Sequence, residues 1–345
     1  MKRLRIVLGA FFVSWLTLWV YPYMIETDRK GRGLVQNRFW RMMTMLCVLF
    51  VMTGCTKPAD AFSPDLSCIR EDTEYLCDEI GIRVTGTEKE RETADWIMES
   101  LRAAGFSENE NLFRLSFESP TGSSENVIAI CNPDCPGPIF SVVAHYDSVE
   151  TSAGARDNAA SVAGLLEIAR YLGTDNTSFP CQIRMVFLGS EENGYHGSRA
   201  YVESLSPEEK ACHAGAFNMD ISAASASDEA MLVCNTLGAV TEGEYREGNF
   251  IIPAEGKLTE AIRHAYRELY GRELGGVFHF GESDHVSFHN AQQEAVNVCW
   301  RKVSGGMPVL PESYHKPEDT PEDLDYETVG ASIRCIVRAI RILTD

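Results

Sequence analysis

Two hydrophobic periods alternate along most of the chain. Runs of branched and large apolar residues predict buried strands at 126–130, 140–145, 181–188, 214–221, 230–235 and 295–300, with a shorter extended piece at 275–280. Between them, apolar positions recur at three- and four-residue spacing. That spacing predicts helices at 66–80, 90–104, 158–172, 196–204, 257–270, 284–290 and 326–343. Gly81 and Gly105 stand where the first two helices should stop, and Asn158 is a candidate cap for the third. Strands alternating with helices predict a three-layer α/β/α domain over residues 65–345, with a mixed, mostly parallel central sheet. Residues 238–256 read as a long surface loop.

The first 55 residues follow another pattern. Residues 6–23 form an apolar stretch long enough to cross a bilayer, preceded by Lys2, Arg3 and Arg5. A second, shorter apolar run at 42–52 follows Arg38 and Arg41 and ends Met52-Thr53-Gly54-Cys55. A charged start, a short apolar middle and small residues at the end make a signal peptide. A cysteine after a small residue resembles the lipobox of bacterial lipoproteins, in which that cysteine is lipidated. The expectation is a lipoprotein-type signal ending at Cys55 and a tether at 56–64. The protein would then be held at a membrane outside the cytoplasm, in the periplasm or at the cell surface. The alternatives are that the first apolar segment is itself the anchor, or that translation starts at Met42, Met43 or an upstream site.

Composition narrows the function. The formal net charge of −19 argues against nucleic acid, whose phosphates need a basic surface. Residues 1–55 carry eight basic residues against Glu26 and Asp28, so the remainder is more acidic still. Most of that surplus reads as a solvated surface. Eleven cysteines include no C-x-x-C pair, which speaks against a zinc ribbon or thioredoxin-like site. Cys131 with Cys135, and Cys68 with Cys77, are possible pairs in an oxidising compartment, and no bridge is assigned. Cys234 and Cys299 read as small apolar core residues.

The strand ends carry the chemistry. One apolar run ends in Ala144-His145-Tyr146-Asp147-Ser148 and another in Glu191-Glu192-Asn193-Gly194. A small-residue turn holds Asp157, a third strand ends at Asp220, and His315 lies in Ser313-Tyr314-His315-Lys316-Pro317-Glu318-Asp319-Thr320. Open α/β sheets bind ligands beyond the carboxyl ends of their strands. Two imidazoles and several carboxylates suit zinc or a similar divalent ion, and one bridging carboxylate would let two ions use them all.

These motifs, in this order, resemble the M28 metallopeptidases of the aminopeptidase Y/leucyl aminopeptidase type. Gly81-Ile82-Arg83-Val84-Thr85-Gly86-Thr87, Asn126-Val127-Ile128-Ala129, Asp157-Asn158-Ala159 and Asn218-Met219-Asp220 match it as well. The resemblance implies two zinc ions per chain, one on His145 and Asp220, the other on Glu192 and His315, with Asp157 bridging. It implies that Glu191 is the general base and that Asp147 accepts the second N–H of His145. Ser283, Asp284, His285 and Phe288 match a segment near the substrate pocket. Where some members carry a tyrosine this chain has Phe280, beside His279, so the oxyanion-stabilising group is open. Phe278 and Phe280 are expected to wall the pocket.

The implied function is a zinc aminopeptidase that removes N-terminal residues from peptides. The alternatives are a single-zinc glutaminyl cyclase, a carboxypeptidase, and a binding protein that has lost catalysis. A carboxypeptidase needs a basic pocket, for which Arg156 and Arg301 are candidates. Lone histidines at 196, 213, 264 and 289 read as ordinary surface or core residues. Side-chain preference and oligomeric state are not encoded in any of these patterns.

Overall fold

The computed structural model describes residues 62–108, 110–173, 179–227, 229–237, 256–279 and 281–345. The N-terminal apolar segments, Cys55, Phe280 and nearly all of the 238–256 loop lie outside them. In chain order the helices are α1 (Leu66–Glu74), α2 (Glu88–Ala103), α3 (Ala160–Leu172), α4 (His196–Ser204), α5 (Pro207–Cys212), α6 (Lys257–Tyr270), α7 (His285–Asn290) and α8 (Tyr326–Thr344). A π-type turn, Tyr75–Ile80, extends α1. The strands are β1 (Leu112–Ser119), β2 (Gly122–Cys131), β3 (Ile139–His145), β4 (Gln182–Leu188), β5 (His213–Asn218), β6 (Ala224–Ser225), β7 (Met231–Asn235), β8 (Gly276–Phe278), β9 (Ala295–Ser304), β10 (Met307–Val309) and β11 (Leu324–Asp325).

One sheet runs in the order β1-β2-β4-β3-β5-β9-β7-β8, with β10 paired to β9. Its middle, β4-β3-β5-β9, is parallel. β1, β2 and β7 join antiparallel at the two sides. β6 and β11 form a separate antiparallel pair. β3 and β4 are buried at every position, as a strand covered on both faces must be.

The pleat sorts their side chains. Phe140, Val142 and Ala144 of β3, with Ile183, Met185 and Phe187 of β4, join the larger core under α1, α2, α3, α6 and α8. Val143, Val186 and Leu188 face the other way, into a smaller core with Tyr201 of α4 and Phe288 of α7. α8 shows why such helices dock: Val329, Ile333, Ile336 and Ile340 repeat at helical spacing and are all fully or almost fully buried. The predicted three-layer architecture is therefore observed.

The edge strand β1 escapes the sequence reading because its exposure alternates and its residues are mixed in polarity. The nine described cysteines are all free thiols, so neither candidate pair is bridged. Among the described residues no helix is long and apolar enough to cross a membrane.

Candidate metal centre

The two central parallel strands deliver ligand-type residues to the same rim. β3 ends at His145, and the following segment is held in place from below. Arg83 is fully buried and donates to the carbonyls of Tyr146, Leu76, Gly81 and Ala153. One guanidinium thus ties the end of α1 to both the His145 segment and the turn before Asp157. β4 leads through Gly189 and Ser190, the latter at φ 60°, to Glu191 and Glu192. A Cβ on Gly189 would lie 2.3 Å from Ser124 Oγ and 2.7 Å from the Glu125 carbonyl, so only glycine fits there. Asp147 accepts the backbone N–H groups of Glu191 at 3.0 Å and Glu192 at 3.1 Å, and the Thr85 hydroxyl at 3.1 Å. It also faces Nδ1 of His145 at 3.5 Å. The same carboxylate therefore fixes the paired acids and flanks the histidine.

Asp157 sits in a tight turn. Gly154 adopts φ 62°, and a Cβ there would lie 2.0 Å from the Asp157 carbonyl oxygen. Asp319 accepts the N–H groups of Arg156 at 2.9 Å and Asp157 at 3.2 Å, which ties this turn to the loop that carries His315. Asn158 does not cap α3, whose first turn lacks a side-chain cap. Its amide instead donates to the Met219 carbonyl at 2.8 Å and accepts the Ile221 N–H at 3.2 Å, pinning the segment that presents Asp220. Ile221 and His315 both take positive φ, 55° and 58°. Such strain in branched or bulky residues gathers where a site dictates the backbone. The His315 ring stacks on Tyr314 with centroids 3.7 Å apart.

The resulting geometry forms two overlapping clusters. His145 Nε2 lies 3.3 Å from Asp157 Oδ1 and 3.9 Å from Asp220 Oδ1. His315 Nε2 lies 3.3 Å from Asp157 Oδ2 and 3.1 Å from Glu192 Oε2. Each cluster can hold a metal ion, and Asp157 belongs to both. Tetrahedral ligands with ~2.0–2.1 Å bonds to zinc stand about 3.3 Å apart, close to these separations. Asp220 Oδ1, Glu192 Oε1 and His315 Nε2 are buried without a hydrogen-bond partner among the described residues. Buried polar atoms without partners are rare and costly; a cation in the first cluster would satisfy Asp220, and one in the second would satisfy Glu192 and His315.

The electrostatics agree. Burial alone would drive the His145 pKa down, but Glu191, Asp147, Asp157 and Asp220 hold it well above the usual histidine range. Contacts with Asp157 and Glu192 raise His315 to about 10. Burial would raise Asp157, yet the two histidines keep it below the ordinary carboxylate range. Burial and the neighbouring Asp157 push Glu192 up to about 7. Glu191 is pushed well above its usual value by burial, opposed by His145 and reinforced by Asp284, Asp220 and Glu192. An excess of crowded carboxyls is the environment that a divalent cation relieves.

Glu191 is the acid left over. It belongs to neither cluster, and its carboxyl takes no hydrogen bond among the described residues. Ser283 and His285 are enclosed, with Ser283 Oγ accepting from Asn218 at 2.7 Å. Phe278 and His279 are half-buried, and His279 Nδ1 lies 3.1 Å from the Thr236 carbonyl. Nothing in the sequence marks the clamp made by Arg83 beyond its place in Gly81-Ile82-Arg83. Asp284, which the sequence marks only as part of the segment near the pocket, is fully buried and pushed up to about 7 by burial.

A family model described as Peptidase family M28 matches residues 126–340. Aminopeptidase YwaD of Bacillus subtilis (strain 168) is 32% identical over 225 residues, covering 63% of this chain and 44% of that protein. The probable lipoprotein aminopeptidase LpqL of Mycobacterium tuberculosis is 34% identical over 235 residues, covering 63% and 45%. The chain thus spans less than half the length of these curated relatives. Among solved structures, a zinc aminopeptidase from Bacillus subtilis matches with a TM-score of 0.67 at 20% identity, over 81% of this chain and 95% of that one. Porphyromonas gingivalis glutaminyl cyclase matches with a TM-score of 0.65 at 20% identity, over 83% and 100%. At such identities the likeness speaks to the fold.

Proposed function

The chain belongs to peptidase family M28, and from that premise we propose that it is a metallo-aminopeptidase with a dinuclear centre. His145, Asp157 and Asp220 hold one cation, and Asp157, Glu192 and His315 hold the other. Zinc bound there would supply a Lewis acid that lowers the pKa of water to about 7 and polarises the scissile carbonyl. Glu191 accepts the proton from the attacking water and returns it to the leaving amine. Asp147 keeps the Glu191-Glu192 turn and the His145 ring in register for that exchange. Asp319 does the same for the Asp157 turn. A peptide's free amine meets the carboxylates around Glu191.

The observation that carries this reading is the sharing of Asp157 between two clusters, next to a free buried acid. The name of one relative includes the word lipoprotein. With the Met52-Thr53-Gly54-Cys55 sequence it supports lipid attachment at Cys55 and a place outside the cytoplasm; Cys55→Ala should release the protein from membranes.

The likeness to a glutaminyl cyclase supports one rival, a single-zinc enzyme that cyclises N-terminal glutamine. A panel of aminoacyl and N-terminal glutamine substrates, run with chelator and with zinc restored, separates the two. Zinc-dependent release of amino acids that Glu191→Gln abolishes, with its metal kept, supports the peptidase. Cyclisation without peptide hydrolysis would overturn it.

A further inference from the structure

A cavity of about 230 Å³ is lined by Arg156, Trp300, Arg301, Lys302, Leu310 and Glu312 among others. Its lining segments lead in the chain to those that carry the two clusters. Arg156 immediately precedes Asp157, and Glu312 lies three residues before His315. The backbone N–H of Trp300 donates to the carbonyl of Ile221, the neighbour of Asp220, at 2.9 Å.

The chemistry of the lining is unusual for this chain. Acids outnumber basic residues by 50 to 31, yet three cations gather here against Glu312. Arg156 has a distant partner in Asp323, at 3.9 Å. Arg301 and Lys302 form no ion pair among the described residues, and Nη1 of Arg301 is buried without an acceptor. A buried guanidinium nitrogen without an acceptor favours an anion, and its planar fork matches a carboxylate. Trp300 and Leu310 supply apolar surface next to that charge. The volume suits one residue better than a larger ligand, whose pockets run to roughly 300–1,000 Å³.

We infer that this cavity is a carboxylate subsite, which takes the C-terminal carboxylate of a short peptide together with an apolar side chain beside it. The inference rests on the aminopeptidase reading and deepens it. The substrates would be dipeptides or tripeptides, small enough to reach the cations while their N-terminus is at Glu191. Blocking the terminal carboxylate removes the charge that Arg301 and Lys302 meet.

The test compares Leu-Leu with Leu-Leu amide on the zinc-loaded protein and on Arg301→Gln and Lys302→Gln. The expected result is a preference for the free acid in kcat/KM of about tenfold or more, as one charge-assisted contact supplies. Each variant should bring the ratio towards one and leave hydrolysis of the amide unchanged, which also shows that it is folded. Lys302 is exposed, so its variant is safe for folding. Equal ratios in all three proteins would overturn the subsite. So would acceleration or inhibition of amide cleavage by free acetate with no acid preference, the mark of an effector anion. Binding of N-acetyl-leucine by calorimetry needs no turnover. If neither peptide is cut but this ligand binds and the variants lose it, the subsite stands and the aminopeptidase reading falls. No binding to the parent protein sinks the subsite itself.

Discussion

Two pairs of histidines in this molecule behave in opposite ways. His145 and His315 stand at the rim of the sheet among acids, and both hold their protons far more tightly than a free imidazole. His213 and His289 lie in or beside the smaller core, where burial lowers both to about 4. His213 stacks on Phe288 and meets only the Ser141 hydroxyl and the Gln293 amide. His289 meets Thr236 and the Ala295 carbonyl. Burial is common to His145 and His289, so burial does not distinguish a ligand from a core residue. Carboxylates converging from separate segments do, because they turn the cost of burial into an affinity for positive charge.

The comparison can be broken hardest at Asp157, which serves both rim histidines. Asp157→Asn should remove activity far beyond the about 10–100-fold that a residue merely supporting a ligand costs. Steady-state kinetics on an aminoacyl substrate would read this, and loss confined to tenfold would contradict a shared ligand. Asp319→Asn samples the supporting role itself. The smaller loss of about 10–100-fold is expected, with weaker zinc affinity, because the N–H groups of Arg156 and Asp157 lose their charged acceptor.

The core pair answers to stability instead. His213→Gln should cost about 1–3 kcal/mol in denaturant unfolding and leave activity per folded molecule unchanged. Its pH dependence follows from the sign of the shift. The folded-state value, about 4, lies below the ~6.5 of an unfolded histidine. The stabilisation is therefore full above pH ~6.5 and is lost as pH falls towards 4, where the unfolded chain binds the proton first. Between those values the parent should lose up to about 1.4 kcal/mol per pH unit more than His213→Gln. Urea midpoints at several pH values check it, and parallel slopes would refute a neutral core histidine.

Much of the architecture was legible because β3 and β4 are buried on both faces. Such strands must read as unbroken apolar runs, and their ends are marked by the polar residues that follow. α4 and α6 match their predicted bounds because their apolar spacing is regular. β1 was not legible, since an edge strand half exposed to water carries no strong pattern. The gathering of His145, Asp157, Glu192, Asp220 and His315 could be inferred from residue type and order at strand ends. What holds them could not. Arg83 acts on carbonyls far away in sequence, and Asn158 spends its side chain on β5's exit rather than on a helix cap. Such contacts depend on tertiary placement alone. The cationic cavity at Arg301 was legible only in part: residue type made Arg156 and Arg301 candidates for a basic pocket, but they are 145 residues apart and only the fold brings them together.

The most direct test of the central claim is the zinc content of the purified protein, measured by elemental analysis after equilibration with excess metal and removal of the unbound ion. Near two ions per chain are expected for the parent, near one for His315→Ala, and close to none held tightly by Asp157→Asn. One ion in the parent that is unaffected by His315→Ala would contradict a shared, two-cation centre.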